Sequence, residues 1–136
     1  MQNLISKKEE EERRLKALAE YRILGTNPES CYDDITKIAA TSCNVPISLM
    51  TLVDKDKQWF KSKIGLQISE TRRDWSFCTH AIKENSPLII HDAFQDERFI
   101  NNPLVTGDPK IRFYAGFPLR NSDGNKLGTL CVIDRK

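Results

Sequence analysis

Cys78 and His80 stand two residues apart in the segment SFCTHAI (residues 76–82), and they form the most chemically suggestive pair in the sequence. A cysteine beside a histidine serves either as a nucleophile with its base or as half of a metal site. On a helix, positions two apart point about 200° away from each other, so such pairing requires extended backbone. The sequence places no Asn or Asp to orient the imidazole. His91 and the other cysteines, Cys31, Cys43 and Cys131, are too scattered for zinc. The segment therefore reads first as structural or pocket-lining, with a redox thiol at Cys78 as the alternative, and neither a metal nor a disulfide is expected.

A second set lies on residues 111–119, which alternate strictly. Ile111, Phe113, Ala115, Phe117 and Leu119 share one face, and Arg112, Tyr114, Gly116 and Pro118 the other. Beside Thr129 and Cys131, the mixed face offers an aromatic wall, one orienting charge and free space, as a small-molecule pocket requires. The plainer reading is a partly solvated sheet surface with Arg112 in a salt bridge. Trp59, Phe60, Lys61, Trp75 and Phe77 either rim such a pocket or fill core. Asp92, Asp96, Arg98 and Arg112 form either an ion-pair network or, with free arginines, an anion-reading site. The candidate ligand-binding set is Phe60, Phe77, Cys78, His80, Asp92, Arg112, Tyr114 and Cys131. There is no phosphate-gripping glycine loop, G-x-S-x-G elbow or H-E-x-x-H helix, so no catalytic residue is assigned and no enzyme is expected.

The elements that must position these groups follow from periodicity. Residues 6–24 read as a charged helix with Leu15, Leu18, Ala19 and the stem of Arg22 as a narrow stripe, and with Glu10–Arg14 at i,i+4 spacing. Residues 28–43 read as a second helix burying Ile35, Ile38, Ala39 and Ser42. Residues 47–53 are an almost continuous apolar run, as in a central strand, followed by a polar turn and a second strand over 58–63. A short helix over 76–84, a strand over 87–92 and a helical turn near 96–100 come next. The strands 111–119 and 126–134 close across Asp123-Gly124, a strong hairpin signal. A two-residue turn there sets Tyr114 opposite Ile133 and Gly116 opposite Cys131. Two early helices with no strand between them exclude alternating βαβ units, so the fold is α+β with an antiparallel sheet.

At 136 residues the chain fits one domain. A net charge of +2 is too small for a nucleic-acid partner or an anionic membrane surface. The longest apolar stretch, residues 45–53, falls well short of the roughly twenty residues that cross a bilayer. Its polar N-terminus and unclustered cysteines fit reduced thiols in a cytoplasmic protein.

Seven segments in order resemble one family: AEYRILGTNPE, YDDITKIAA, PISLMTLVD, QWFKSKIGL, SFCTHAI, the stretch from residue 92 to 119, and LGTLCVID. Together they resemble a GAF domain of bacterial signalling proteins, the type attached to sensor histidine kinases and diguanylate cyclases. The resemblance implies a central sheet of five or six antiparallel strands, with helices packed on one face. A small-molecule pocket is implied under short helices and loops on the other. It implies a regulatory module with an attached output domain. The effector is open: a cyclic nucleotide or another small molecule fits the family, and a bilin is not expected because the segment around Cys78 resembles the ordinary sensor type. Gly25 and Arg72 depart from the pattern, where Asp and Pro are expected. The expected organisation is a charged helix or linker start over 1–14 and the domain over 15–136, without the family's closing helix. Self-pairing through the first helix, as a homodimer, is also expected. A structural dimerisation module with a vestigial pocket is the competing reading.

Overall fold

The computed structural model describes residues 7–136; the start of the first expected helix, at residue 6, and residues 1–6 of the expected linker start lie outside that range. Helices α1 (Lys7–Glu20) and α2 (Ser30–Cys43) precede strands β1 (Ile47–Val53), β2 (Lys57–Ile64) and β3 (Glu70–Arg72). The one-turn helix α3 (Phe77–Ala81), β4 (Leu88–Ile90), the short α4 (Pro103–Thr106), β5 (Phe113–Arg120) and β6 (Lys126–Asp134) complete the chain. The six strands form one sheet in the order β3-β2-β1-β6-β5-β4, with every neighbouring pair antiparallel. This is the expected α+β architecture.

β1 is buried along its whole length, as its apolar run requires when both faces are covered. On one face lies the larger core, where α3 and the loops near it cover Leu49, Val53, Tyr114, Cys131 and Ile133. On the other face α1 lays Ala17 and Leu18 against Leu52, Trp59 and Leu127. The register of β5 on β6 is the expected one, with Tyr114 opposite Ile133 and Gly116 opposite Cys131. The turn itself differs. Instead of a two-residue turn, Asn121 Oδ1 accepts from the amides of Asp123 and Asn125, and an irregularity between Leu119 and Arg120 absorbs the added length.

Three expectations about faces are corrected. α2 buries Thr36 and Ala40, while Ile35 and Ile38 are exposed. The reason is polar: Thr36 Oγ1 hydrogen-bonds with Ser62 Oγ at 2.7 Å, and Ser62 Oγ donates to Asp33 Oδ1 at 2.5 Å. Short side chains let the helix axis approach the sheet, and the larger isoleucines turn outward. In β5 burial does not follow the two faces: Tyr114 and Gly116 of the mixed face are buried, but so is Ala115 of the other, while Phe117 is exposed. Alternation breaks just before the strand, where Lys110 adopts a left-handed backbone with φ 61°, so Ile111 joins the core that also holds Tyr114. α1 ends at Glu20 rather than 24, and its stripe is Arg14, Ala17 and Leu18, with Ala19 exposed. That stripe is covered by the domain's own sheet, which removes the motive for pairing two copies through it.

Arg14 does not meet Glu10. Its guanidinium binds Glu11 in fork fashion, through Nε at 3.0 Å and Nη2 at 2.9 Å, and Arg73 reaches the same carboxylate. Burial pushes the Glu11 carboxyl up, but the two guanidiniums outweigh it and hold it down at about 2. A depressed carboxyl contributes stability that is complete above its ordinary value and fades as the pH falls towards the folded one. Urea unfolding between pH 4.5 and 2 should therefore show native stability falling with acid and a shallower slope in Glu11→Gln; equal slopes would contradict the triad. Leu18→Ala should cost about 2–5 kcal/mol, as expected for a buried leucine. A loss within the range of surface substitutions would mean that α1 does not pack where it is described.

Candidate functional site

α3 is short because it is a cover fixed at its start rather than a free-standing helix. Ser76 caps it, accepting from Thr79 N at 3.2 Å. The same hydroxyl donates to Gln58 Oε1 at 2.7 Å, and Gln58 Nε2 donates to Thr71 Oγ1 at 3.0 Å. This chain of side chains ties the helix to β2 and β3. Phe77 stacks on Phe99 with ring centroids 4.0 Å apart and lies 5.1 Å from the Tyr114 ring.

Behind α3 the sheet carries a line of buried polar atoms. Cys78 Sγ hydrogen-bonds with Tyr114 Oη at 3.1 Å and with Thr129 Oγ1 at 3.0 Å. Thr129 Oγ1 hydrogen-bonds in turn with Thr51 Oγ1 at 3.1 Å. Gly116 makes this geometry possible: a Cβ there would stand 2.1 Å from Tyr114 Oη, so only a glycine leaves the phenol room to lie along the strand. Burial pushes the Cys78 thiol up, but hydrogen bonds from Cys131, Thr129, Thr51 and Tyr114 more than reverse this and bring it to about 6. Cys131 moves the opposite way, raised by its hydrogen bond to Cys78 and by burial. Tyr114 is raised by burial and by the two neighbouring sulfurs. The arrangement makes Cys78 the acceptor, with donors around it.

An apolar slot opens beside these groups. Phe60, Phe77, Cys78, Tyr114 and Cys131 line it, together with Leu49, Gln58 and Thr71 from the strands. Leu66 and Ile68 from the β2–β3 connection, and Leu104 and Pro109 from around α4, close its mouth. Among the described residues that line it there is no Asp, Glu, Lys, Arg or His. The volume open to the centre of a water molecule is about 20 Å³, room for about one water. A wider groove of about 520 Å³ runs between α1 and the β5–β6 loop, but it carries charges of both signs, with Glu11 held between Arg14 and Arg73.

Five of the eight candidate residues thus meet in the slot, and three stand outside it. His80 sets its ring edge on Phe99 at 4.9 Å, away from the Cys78 sulfur, as the helical spacing requires. Burial, then Lys83 and Arg98, hold its pKa below the usual value. Asp92 is an exposed cap that accepts from Phe94 N at 3.0 Å. Arg112 donates to the carbonyls of Val105 and Ile111, both at 3.0 Å, and lies 4.5 Å over the Phe94 ring. The orienting charge expected in the pocket is therefore spent on holding a loop. Among the described residues Asp96 forms its ion pair with Arg98. Trp59 packs on the opposite face beside Leu18, where the buried Lys61 ammonium binds Glu29 at 2.6 Å. The sequence reading set Thr129 beside the pocket face but missed Thr51, Gln58 and Thr71. Thr51 carried a signal, because a hydroxyl within a fully buried run must find a partner.

Gly116→Ala should displace Tyr114 and cost about 1–3 kcal/mol, as overpacked sites do, with a larger near-ultraviolet change than an added methyl alone would give. An unchanged aromatic spectrum and stability would contradict the close approach.

Residues 27–136 match the family model described as GAF domain. The chain is 40% identical over 128 residues to the cyclic di-GMP phosphodiesterase PA2567 of Pseudomonas aeruginosa. That match covers 94% of this chain and 22% of the relative, so the chain spans about a fifth of its length. Among solved structures, a GAF domain from a phosphoenolpyruvate-protein phosphotransferase of Coxiella burnetii superimposes with a TM-score of 0.63 at 12% identity, covering 96% of this chain and 81% of the other. A type II free methionine-R-sulfoxide reductase from Thermoplasma acidophilum gives a TM-score of 0.63 at 13% identity, covering 88% and 78%. At such identities these two show the fold alone.

Proposed function

The chain belongs to the GAF domain family, and from that premise we propose that it is a regulatory sensor whose slot takes an uncharged, chiefly apolar small molecule. The carrying observation is the lining: aromatic and aliphatic walls, two thiols, a phenol and an amide, with no cation to meet a phosphate. A cyclic nucleotide would bury its phosphate there without a counter-charge, which is costly. At about 20 Å³ the slot is too small as it stands for drug-sized ligands, which occupy some 300–1,000 Å³. Binding therefore requires the β2–β3 connection and the α4 region to move while α3 stays tied to the sheet. The ligand would bias that open arrangement, and the difference in affinity between the two states sets the size of the response.

The signal would pass to an attached output domain. Cyclic di-GMP hydrolysis is the output favoured by the P. aeruginosa relative, beside the kinase or cyclase expected from the sequence. A cytoplasmic setting belongs to the same proposal; among the described residues no helix is long and apolar enough to cross a membrane. So does a homodimer, although Leu18 no longer supplies its motive. The slot holds no paired acid and base, so no reaction is assigned to it.

A thermal-shift panel of uncharged aromatic and aliphatic metabolites against cyclic AMP and cyclic GMP tests the reading. A fitting compound at a hundred times its Kd should add about 2.7 kcal/mol, and Leu49→Trp, which fills the slot, should abolish the gain. Stabilisation by the cyclic nucleotides alone would overturn the uncharged-ligand reading. Stabilisation by nothing would favour the structural dimerisation module.

A further inference from the structure

We propose that Cys78 and Cys131 are a reversible disulfide site, oxidised by a peroxide small enough to enter the slot, and that the bond pins α3 to β6. The inference goes beyond the ligand reading and does not rest on it.

Two thiols from different elements line the same slot, close enough that each shifts the acidity of the other. Cys131 sits on β6 opposite Gly116, and Cys78 reaches it from α3. Both are buried, at 2% and 0% exposure, whereas Cys31 and Cys43 are exposed. Access therefore runs through the slot. Its volume of about 20 Å³ admits hydrogen peroxide, a molecule little larger than water, without the opening that a larger ligand requires.

The chemistry fits the surrounding donors. The Cys78 thiol, lowered to about 6, is the more acidic of the pair and supplies the thiolate nucleophile. It attacks one peroxide oxygen and the O–O bond breaks; the departing oxygen takes up a proton and leaves as water, and Cys78 becomes a sulfenic acid. Cys131, whose raised pKa keeps its proton until this step, passes that proton to the sulfenic hydroxyl and attacks the Cys78 sulfur as a thiolate while the S–O bond breaks. The hydroxyl leaves with the proton as a second water. In sum, two thiols and one peroxide give one disulfide and two waters. Tyr114 Oη and Thr129 Oγ1, at 3.1 and 3.0 Å from the Cys78 sulfur, are placed to donate to the thiolate.

Bond formation draws the sulfurs to about 2 Å. β6 is held on both sides by β1 and β5, so the five-residue α3 is the part that yields. Its shift would pull Cys78 off Tyr114 and Thr129 and narrow the slot.

The test uses the full chain carrying Cys31→Ser and Cys43→Ser, which leaves only the buried pair. The folded protein is exposed to hydrogen peroxide, and its peptides are mapped by mass spectrometry. Hydrogen peroxide should give a linked Cys78–Cys131 peptide, lighter by two hydrogens and reopened by dithiothreitol. Adding Cys131→Ser should stop the reaction at a sulfenic acid on Cys78 that dimedone traps. Two free thiols after hydrogen peroxide, or a linked peptide that forms only in guanidinium, would overturn the proposal.

Discussion

The position of Tyr114 along β5 governs the slot side of the domain. Its ring occupies the space a side chain at Gly116 would fill, and its hydroxyl meets the Cys78 sulfur. Without that tether α3 would be a single turn, too short to persist by its own backbone hydrogen bonds. With it, and with Ser76 held by Gln58, the turn becomes a fixed cover. Phe77 can then stack on Phe99, and the slot between cover and sheet acquires a definite shape.

The opposite face is organised by charge rather than by a phenol. Lys61, the residue left unpaired where β2 slips its register against β1, buries its ammonium against Glu29, Thr26 and the Asn27 carbonyl. It thereby fastens the α1–α2 connection to the sheet. Removing one partner of so buried an ion would leave a charge uncompensated, the costly case. Glu11 does the same for α1, joining it to Arg73 just ahead of α3. The two faces are therefore mechanically linked: the residues preceding the cover are held by the N-terminal helix. That connection offers a route by which a change at the slot could reach α1.

Strand identities and register were legible because they depend on backbone period and on a hairpin whose facing residues are fixed by count. Tyr114 opposite Ile133 agrees with the count for a two-residue turn, although a longer turn offset by the irregularity at Leu119 and Arg120 produces it. Faces were harder, because they depend on which side chains the neighbouring element admits. α2 looked amphipathic through Ile35 and Ile38, yet a hydroxyl ladder from Thr36 to Ser62 set its rotation. Arg112 looked like a ligand-orienting charge on the Tyr114 face, but the left-handed turn at Lys110 puts Ile111 into the core and leaves Arg112 gripping loop carbonyls. β3 has only three residues, Glu-Thr-Arg, too few for any period to register. The slot residues that were recognised, Phe60, Phe77, Cys78, Tyr114 and Cys131, are those whose type alone suggests contact. Gln58 and Thr71 were missed because their value lies in bonding each other across two strands.

The central claim is that the slot opens by its mouth while the cover stays fixed. Amide hydrogen exchange of the ligand-free chain measures this directly. The account predicts protection of Ile82, whose amide closes on the Cys78 carbonyl at 3.0 Å, approaching that of the central strands β1 and β6. Residues 65–69, at the slot's mouth, should exchange orders of magnitude faster. Equally fast exchange at Ile82 and in residues 65–69 would mean that the cover itself is loose, and would contradict the account.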